Sequence, residues 1–329
     1  MRLGSLLALL AAGVAVAFMG SLLVGPATLR WDTSLAALFF GDNEAARLVM
    51  REIRLPRAIL GATIGASLGL SGAALQGYLR NPLADPGVLG ISASASFGAV
   101  LALYFGAASL APLTLPVSAI AGAGVAALVV RALAGGESGT LTLILAGVAV
   151  SSLAGAMTTL ALNFAPSPFA ALEIVFWMLG SLSDRSMTHV WLALPFMAVG
   201  CLMLFASGRA LDALTLGSDV AATLGESPRR TLFLVVFGSA IAVGAATAVA
   251  GAIAFIGLIV PHLLRGAVGG QPSRLLPASA LAGAMLLLMA DIAVRVIAPE
   301  RDIKLGVLTA LIGAPFFLWL VLKVRRAAL

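Results

Sequence analysis

A chain of 329 residues that is 61% hydrophobic and 10% charged, with a mean hydropathy of +1.09, carries too little polar surface to coat a soluble globule and too much apolar surface to stay disordered. The formal charge of +6 and a single cysteine, Cys201, which can form no internal disulfide, add no framework of another kind. What remains is an all-α, polytopic membrane protein, read as one transmembrane domain over 1–329.

Apolar runs bounded by charges, Gly or Pro predict ten helices, at about 3–24, 57–77, 88–106, 114–133, 141–163, 190–207, 231–249, 252–267, 276–298 and 305–324. The first has only Arg2 ahead of it and a long apolar stretch, so a retained helix is expected rather than a signal peptide. Gly61, Gly65 and Gly69 recur every four residues on the second run and would share one face, allowing close approach of a neighbour. Asn81-Pro82-Leu83-Ala84-Asp85-Pro86 then predicts a stiff turn that neither flanking helix can absorb.

Between the sixth and seventh runs, residues 206–230 predict two short amphipathic helices, with Gly217 ending one and Ser218, followed by Asp219, capping the next. From Thr231 to Leu264 there is no Asp, Glu, Lys or Arg in thirty-four positions. One helix of that length would measure roughly 51 Å against a hydrocarbon core of about 30 Å, so the segment is expected to fold back near Ala248–Ala252.

An even number of spans puts both termini on one side, and Lys323, Arg325 and Arg326 point to the cytoplasm. Eleven basic residues then fall inside and nine outside, five of these between Arg30 and Arg57. That crowd fits either headgroup anchoring or docking of an acidic soluble partner. Asp291 and Arg295, spaced i,i+4, could satisfy each other. No carboxylate stands near a midplane as ion-coupled transport requires, no Gly-x4-Gly-Lys-Ser/Thr loop is present, and His189 and His262 sit in no metal-ligand pattern. An ion-coupled carrier and an intramembrane hydrolase are thereby disfavoured.

Four segments together resemble the transmembrane permease of type II ABC importers, which carry iron–siderophore complexes, haem and vitamin B12. They are Arg54-Leu-Pro-Arg through Asn-Pro-Leu-Ala-Asp-Pro-Gly-Val-Leu-Gly90; Phe176-Trp-Met-Leu-Gly-Ser-Leu182; Gly251-Ala-Ile-Ala-Phe-Ile-Gly-Leu-Ile-Val-Pro-His-Leu-Leu-Arg265; and Gly306-Val-Leu-Thr-Ala-Leu-Ile-Gly-Ala-Pro315. The resemblance implies an inner-membrane homodimer, two separate ATPase subunits and a periplasmic binding protein. It implies no nucleic-acid partner and no cofactor in this chain, with ATP and Mg on the ATPase.

The same resemblance makes Asn81 and Leu83 a cytoplasmic gate, with Gly139 and Thr140 as its second element. The elbow at 206–228 becomes the ATPase contact, through Leu216, Gly217, Ser218, Asp219, Ala222, Leu224 and Gly225. Arg54, Arg57 and Arg295 become docking positions for the binding protein. Lys304 stands where the family usually has Pro, so the last helix could start differently. The expected cargo is an iron chelate, with a corrinoid as the alternative.

Overall fold

The computed structural model describes residues 3–25, 27, 29–39, 43–107, 111, 113–135, 140–297 and 303–327, and every regular element in them is helical. Helix α1 (Leu3–Leu23) is followed by short α2 (Trp31–Phe39) and α3 (Glu44–Leu48). A π-helical stretch, Val49–Arg54, runs directly into α4 (Leu55–Tyr78). One 3-10 turn, Pro86–Leu89, precedes α5 (Ile91–Tyr104), α6 (Thr114–Ala134), α7 (Thr140–Asn163), α8 (Pro168–Met178) and α9 (Met187–Ala206). The elbow is α10 (Gly208–Leu214) and α11 (Ser218–Thr223), and α12 (Pro228–Ala250), α13 (Ile256–Arg265), α14 (Pro272–Ile297) and α15 (Leu305–Ala327) complete the chain.

All ten expected helices are present, and among the described residues eight helices are long and apolar enough to cross a membrane. The exceptions among the ten are α5, about 21 Å long, and α13, about 15 Å. The fold-back expected near Ala248–Ala252 occurs at Gly251, and only the length of the second limb differs. Instead of two paired spans, the segment forms one full span, α12, and a half-length helix that packs on α4 and α14.

Gly251 ends α12 at φ 72°, residues 251–254 are irregular, and Phe255, at φ 69°, starts α13. Gly257 then lies against Gly72, about 26 Å along α4 from Leu55, so α13 begins deep in the bundle. Irregular backbone at that depth survives only where protein surrounds it. Ser181 N donates to Ala250 O at 2.7 Å and Gly306 N to Gly180 O at 3.2 Å, which shields the break from lipid.

Helix α8 is additional to the ten expected helices; Ser167 caps it by accepting from Ala170 N, and Pro168 opens its first turn. At eleven residues it is too short for a span, which is why a search for spans passes over it.

Helices α4 and α12 form the centre. In lipid, helices gain nothing by hiding apolar side chains from each other, so close backbone approach must supply the attraction. The glycine face of α4 does this: a Cβ on Gly65 would overlap the carbonyl of Gly283 on α14, and one on Gly69 would overlap that of Ser279. Gly98 and Gly122 bring α5 and α6 together in the same way, against Ser118 and Ser94. Bulky side chains such as Leu153, Trp191 and Leu311 point outward instead.

Gly65→Ala and Gly69→Ala should each destabilise the protein by about 1–3 kcal/mol, because the obstructing atoms are backbone. Gly124→Ala, with nothing within 4 Å of the added methyl, should not. Thermal unfolding in detergent separates the two outcomes, and equal midpoints for all three would refute the account.

Candidate functional site

The turn after α4 is defined by backbone bonds at each step. Arg80 adopts φ 49°, which lets Asn81 N reach back to Gln76 O at 3.2 Å and close the helix end. Asn81 Oδ1 accepts from Leu83 N at 2.9 Å, and Asp85 Oδ1 accepts from Gly87 N at 2.8 Å. Burial pushes the Asp85 carboxyl up, with the Gly87 amide opposing that shift. Pro82 and Pro86 fix the remaining dihedrals.

The far side of the turn leans on α7, where a Cβ on Gly147 would overlap the Val88 carbonyl. Asn81 and Leu83 are half-buried at the end of the bundle that carries the elbow. Thr140 opens α7, about two turns ahead of Gly147, while Gly139 lies outside the described residues.

The elbow has two faces. Leu211, Leu214 and Ala221 are buried, and α10 packs on the ends of α4 and α14, with Leu211 against Gly77 and Ser273 against Gly208. Asp212 faces the α13–α14 connection, accepting from Gln271 Nε2 at 2.9 Å and Ser273 N at 2.8 Å. Leu216 and Leu224 project outward at 65% and 63% exposure, with Asp219 and Ala222 exposed between them.

Gly217, at φ 113°, and Gly225, at φ 82°, take backbone conformations that other residues rarely adopt. One expectation changes. Gly217 occupies the cap position of α11, and Ser218 is its first helical residue, donating to Asp219 Oδ1 at 3.3 Å rather than capping.

At the opposite end, the three arginines expected to face a binding protein lie largely inside. Arg54 is 3% exposed and donates to the carbonyls of Leu22, Leu23 and Ala27, where the chain leaves α1. Asp291 is gripped by Arg57 and Arg295, each at 2.8 Å, and Arg295 also donates to Ser21 O and Val24 O. The anticipated Asp291–Arg295 pair is real, and Arg57 completes it across α4 and α14. These side chains are committed to internal partners, because a buried guanidinium without acceptors would be costly. Arg54 is buried, and Arg57 and Arg295 are half-buried with their guanidiniums bonded inside the protein. Arg30 and Arg47 are the exposed ones.

Lys304 sits immediately before α15, which starts at Leu305 as expected despite the missing Pro. Its Nζ lies 5.8 Å over the Phe176 ring, beside a cavity of about 350 Å³ that Trp177 and Arg185 also line. His262 Nδ1 is buried without a hydrogen-bond partner, and no cluster of three metal-ligating side chains occurs among the described residues.

A model of the FecCD transport family matches residues 13–323, and the chain belongs to that family, as an ABC importer permease. It is 44% identical to the cobalamin import system permease protein of Halobacterium salinarum, over 87% of this chain and 76% of that one. It is 37% identical to the hemin transport system permease protein of Yersinia pestis, over 98% and 94%, and 39% identical to the Fe(3+) dicitrate permease of Escherichia coli, over 84% and 86%. A solved structure described as a metal-chelate type ABC transporter in an inward-facing conformation superposes with TM-score 0.87 at 30% identity, covering 97% of this chain and 99% of that one.

Asp291→Asn should cost about 3–5 kcal/mol, since it strands two buried guanidiniums around a neutral amide. Arg30→Ala, which breaks only the exposed pair with Asp32, should leave stability unchanged. Denaturant titration of the purified protein measures both, and a silent Asp291→Asn would show that the network is dispensable.

Proposed function

We propose that this member of the FecCD transport family is the membrane-spanning subunit of an importer that moves a bulky metal chelate, an iron–siderophore complex or haem, inward across the plasma membrane. It works as a homodimer with both termini cytoplasmic, two ATPase subunits seated on the elbows and a soluble binding protein delivering cargo to the far end. The carrying observation is the elbow: a structured pair of helices, anchored by Leu211 and Leu214, that turns Leu216 and Leu224 away from the protein. Exposed leucines on an ordered, glycine-set scaffold suit a complementary socket. The elbow sits at the same end of the bundle as the Asn81–Leu83 turn, so ATPase closure acts where the gate lies.

The arginine-rich rim serves docking in two layers. Arg30 and Arg47 offer surface charge, and Arg54, Arg57 and Arg295 hold the segment that presents them. Charge there speeds encounter with an acidic partner more than it adds affinity.

A corrinoid is the second reading for cargo, favoured by the 44% identity to a cobalamin permease. Uptake of radiolabelled haemin, ferric dicitrate and cyanocobalamin by cells carrying the complete transporter separates the readings. Iron or haem uptake is the expected result, and cobalamin uptake alone would replace it with the corrinoid.

Leu216→Asp should abolish uptake while the permease remains folded, because it places a carboxylate in an apolar socket at a cost of several kcal/mol. Co-purification of the ATPase should fall in parallel. Unimpaired uptake would remove the elbow from the coupling mechanism.

A further inference from the structure

Helix α13 contains an interior proline, Pro261. Pro261 has no N–H, so the carbonyl of Gly257, one turn earlier, lacks its helical partner deep in the bundle. Gln76, on α4 and 1% exposed, fills the gap: its Nε2 donates to Gly257 O and Leu258 O, each at 3.3 Å. Its Oε1 accepts from Arg265 Nη2 at 2.7 Å, at the other end of the same short helix. One amide therefore grips α13 at both ends.

The backbone of Gln76 grips something else. Its carbonyl accepts from Asn81 N, the bond that ends α4 and launches the gate turn. The turn then comes back to α13: Pro86 Cδ and Asp85 Oδ2 lie 2.8 and 3.2 Å from where a Cβ on Gly257 would stand. Both limbs of the gate turn thus meet α13, one hydrogen-bonded through Gln76 and one packed against Gly257. Beyond Arg265, the chain reaches Gln271 and Ser273, both held by Asp212 of the elbow.

We propose that Gln76 is a positioning residue for transport, joining the gate turn to α13 so that displacement of the elbow, passed on through Asp212 and the α13–α14 connection, moves Leu83. This rests on the importer reading above and adds a specific route to it. Close packing makes the route effective, because Gly72 brings the α4 backbone against the Gly257 carbonyl and leaves α13 no slack to absorb a push. A chain of contacts becomes a coupling path only when both ends are shown to bias the same element, which is what the test measures.

The probe is a cysteine at the gate, Leu83→Cys in a Cys201→Ser background, in the assembled complex with its ATPase in nanodiscs. The readout is its labelling rate by a membrane-impermeant maleimide, without nucleotide and after trapping with ATP and vanadate. In the otherwise unaltered complex the rate should change by about tenfold on trapping. With Gln76→Leu the change should fall below about twofold, although the complex still assembles and traps vanadate.

Gln76→Glu keeps an acceptor for Arg265 but loses the donor to Gly257, and should behave the same way. It decides the matter if Gln76→Leu fails to assemble. A full nucleotide response in assembled complexes of these variants overturns the proposal. No response in the Gln76-containing complex removes Leu83 from the gate and the relay with it, a failure of the functional reading that is visible before Gln76 is touched.

Discussion

Every N–H and C=O within the hydrocarbon region must find its partner inside the protein, and this constraint shapes the molecule more than any other. A helix meets it automatically along its length but fails at a break, a proline or an end. The chain has all three between Gly251 and Pro261, and each is answered by a neighbour: Ser181 at the end of α12, surrounding protein along the irregular stretch, Gln76 at the carbonyl freed by Pro261. Those neighbours must lie at backbone distance, which is possible only because Gly72, Gly180 and Gly251 have no side chains in the way. Glycine placement and polar satisfaction are the same requirement met from two sides.

Charge follows a similar logic at the far end. A carboxylate enclosed by two guanidiniums, with further carbonyls accepting from Arg54 and Arg295, compensates ions that lipid would not tolerate alone. The network ties the end of α1 to α4 and α14, so the rim opposite the elbow is stiff. Arg57 also reaches Ser183, near the junction of α8, the α12–α13 break and α15. Rim and break therefore form a continuous rigid cap.

The elbow end is built for contact rather than closure. Helices α10 and α11 bury one face and leave leucines on the other, and two glycines at positive φ set the angle between them. The turn after α4, a short distance away, is as heavily constrained, by Arg80, Asn81, Asp85 and two prolines. Two stiff pieces joined by α13 suit rigid-body movement better than local unfolding.

The class, the ten apolar helices, the break after α12, the elbow and the membership of the family are all legible in the amino-acid order, because each depends on local periodicity or on contiguous motifs. It also showed the Asp291–Arg295 spacing. It did not reveal Arg57 as the third member, since 234 residues separate it from Asp291. Nor could it place Arg54 in the interior: an arginine beside an apolar run looks the same whether its acceptors are water or the carbonyls of Leu22 and Leu23. The half-length of α13 was hidden because lack of charge measures apolarity, whereas the helix start is set by Phe255 packing on Gly313 of α15. Pro261 and Gln76 are both plain in the sequence, but the missing partner of the Gly257 carbonyl becomes the business of a glutamine 181 positions away only when tertiary packing brings two backbones into contact.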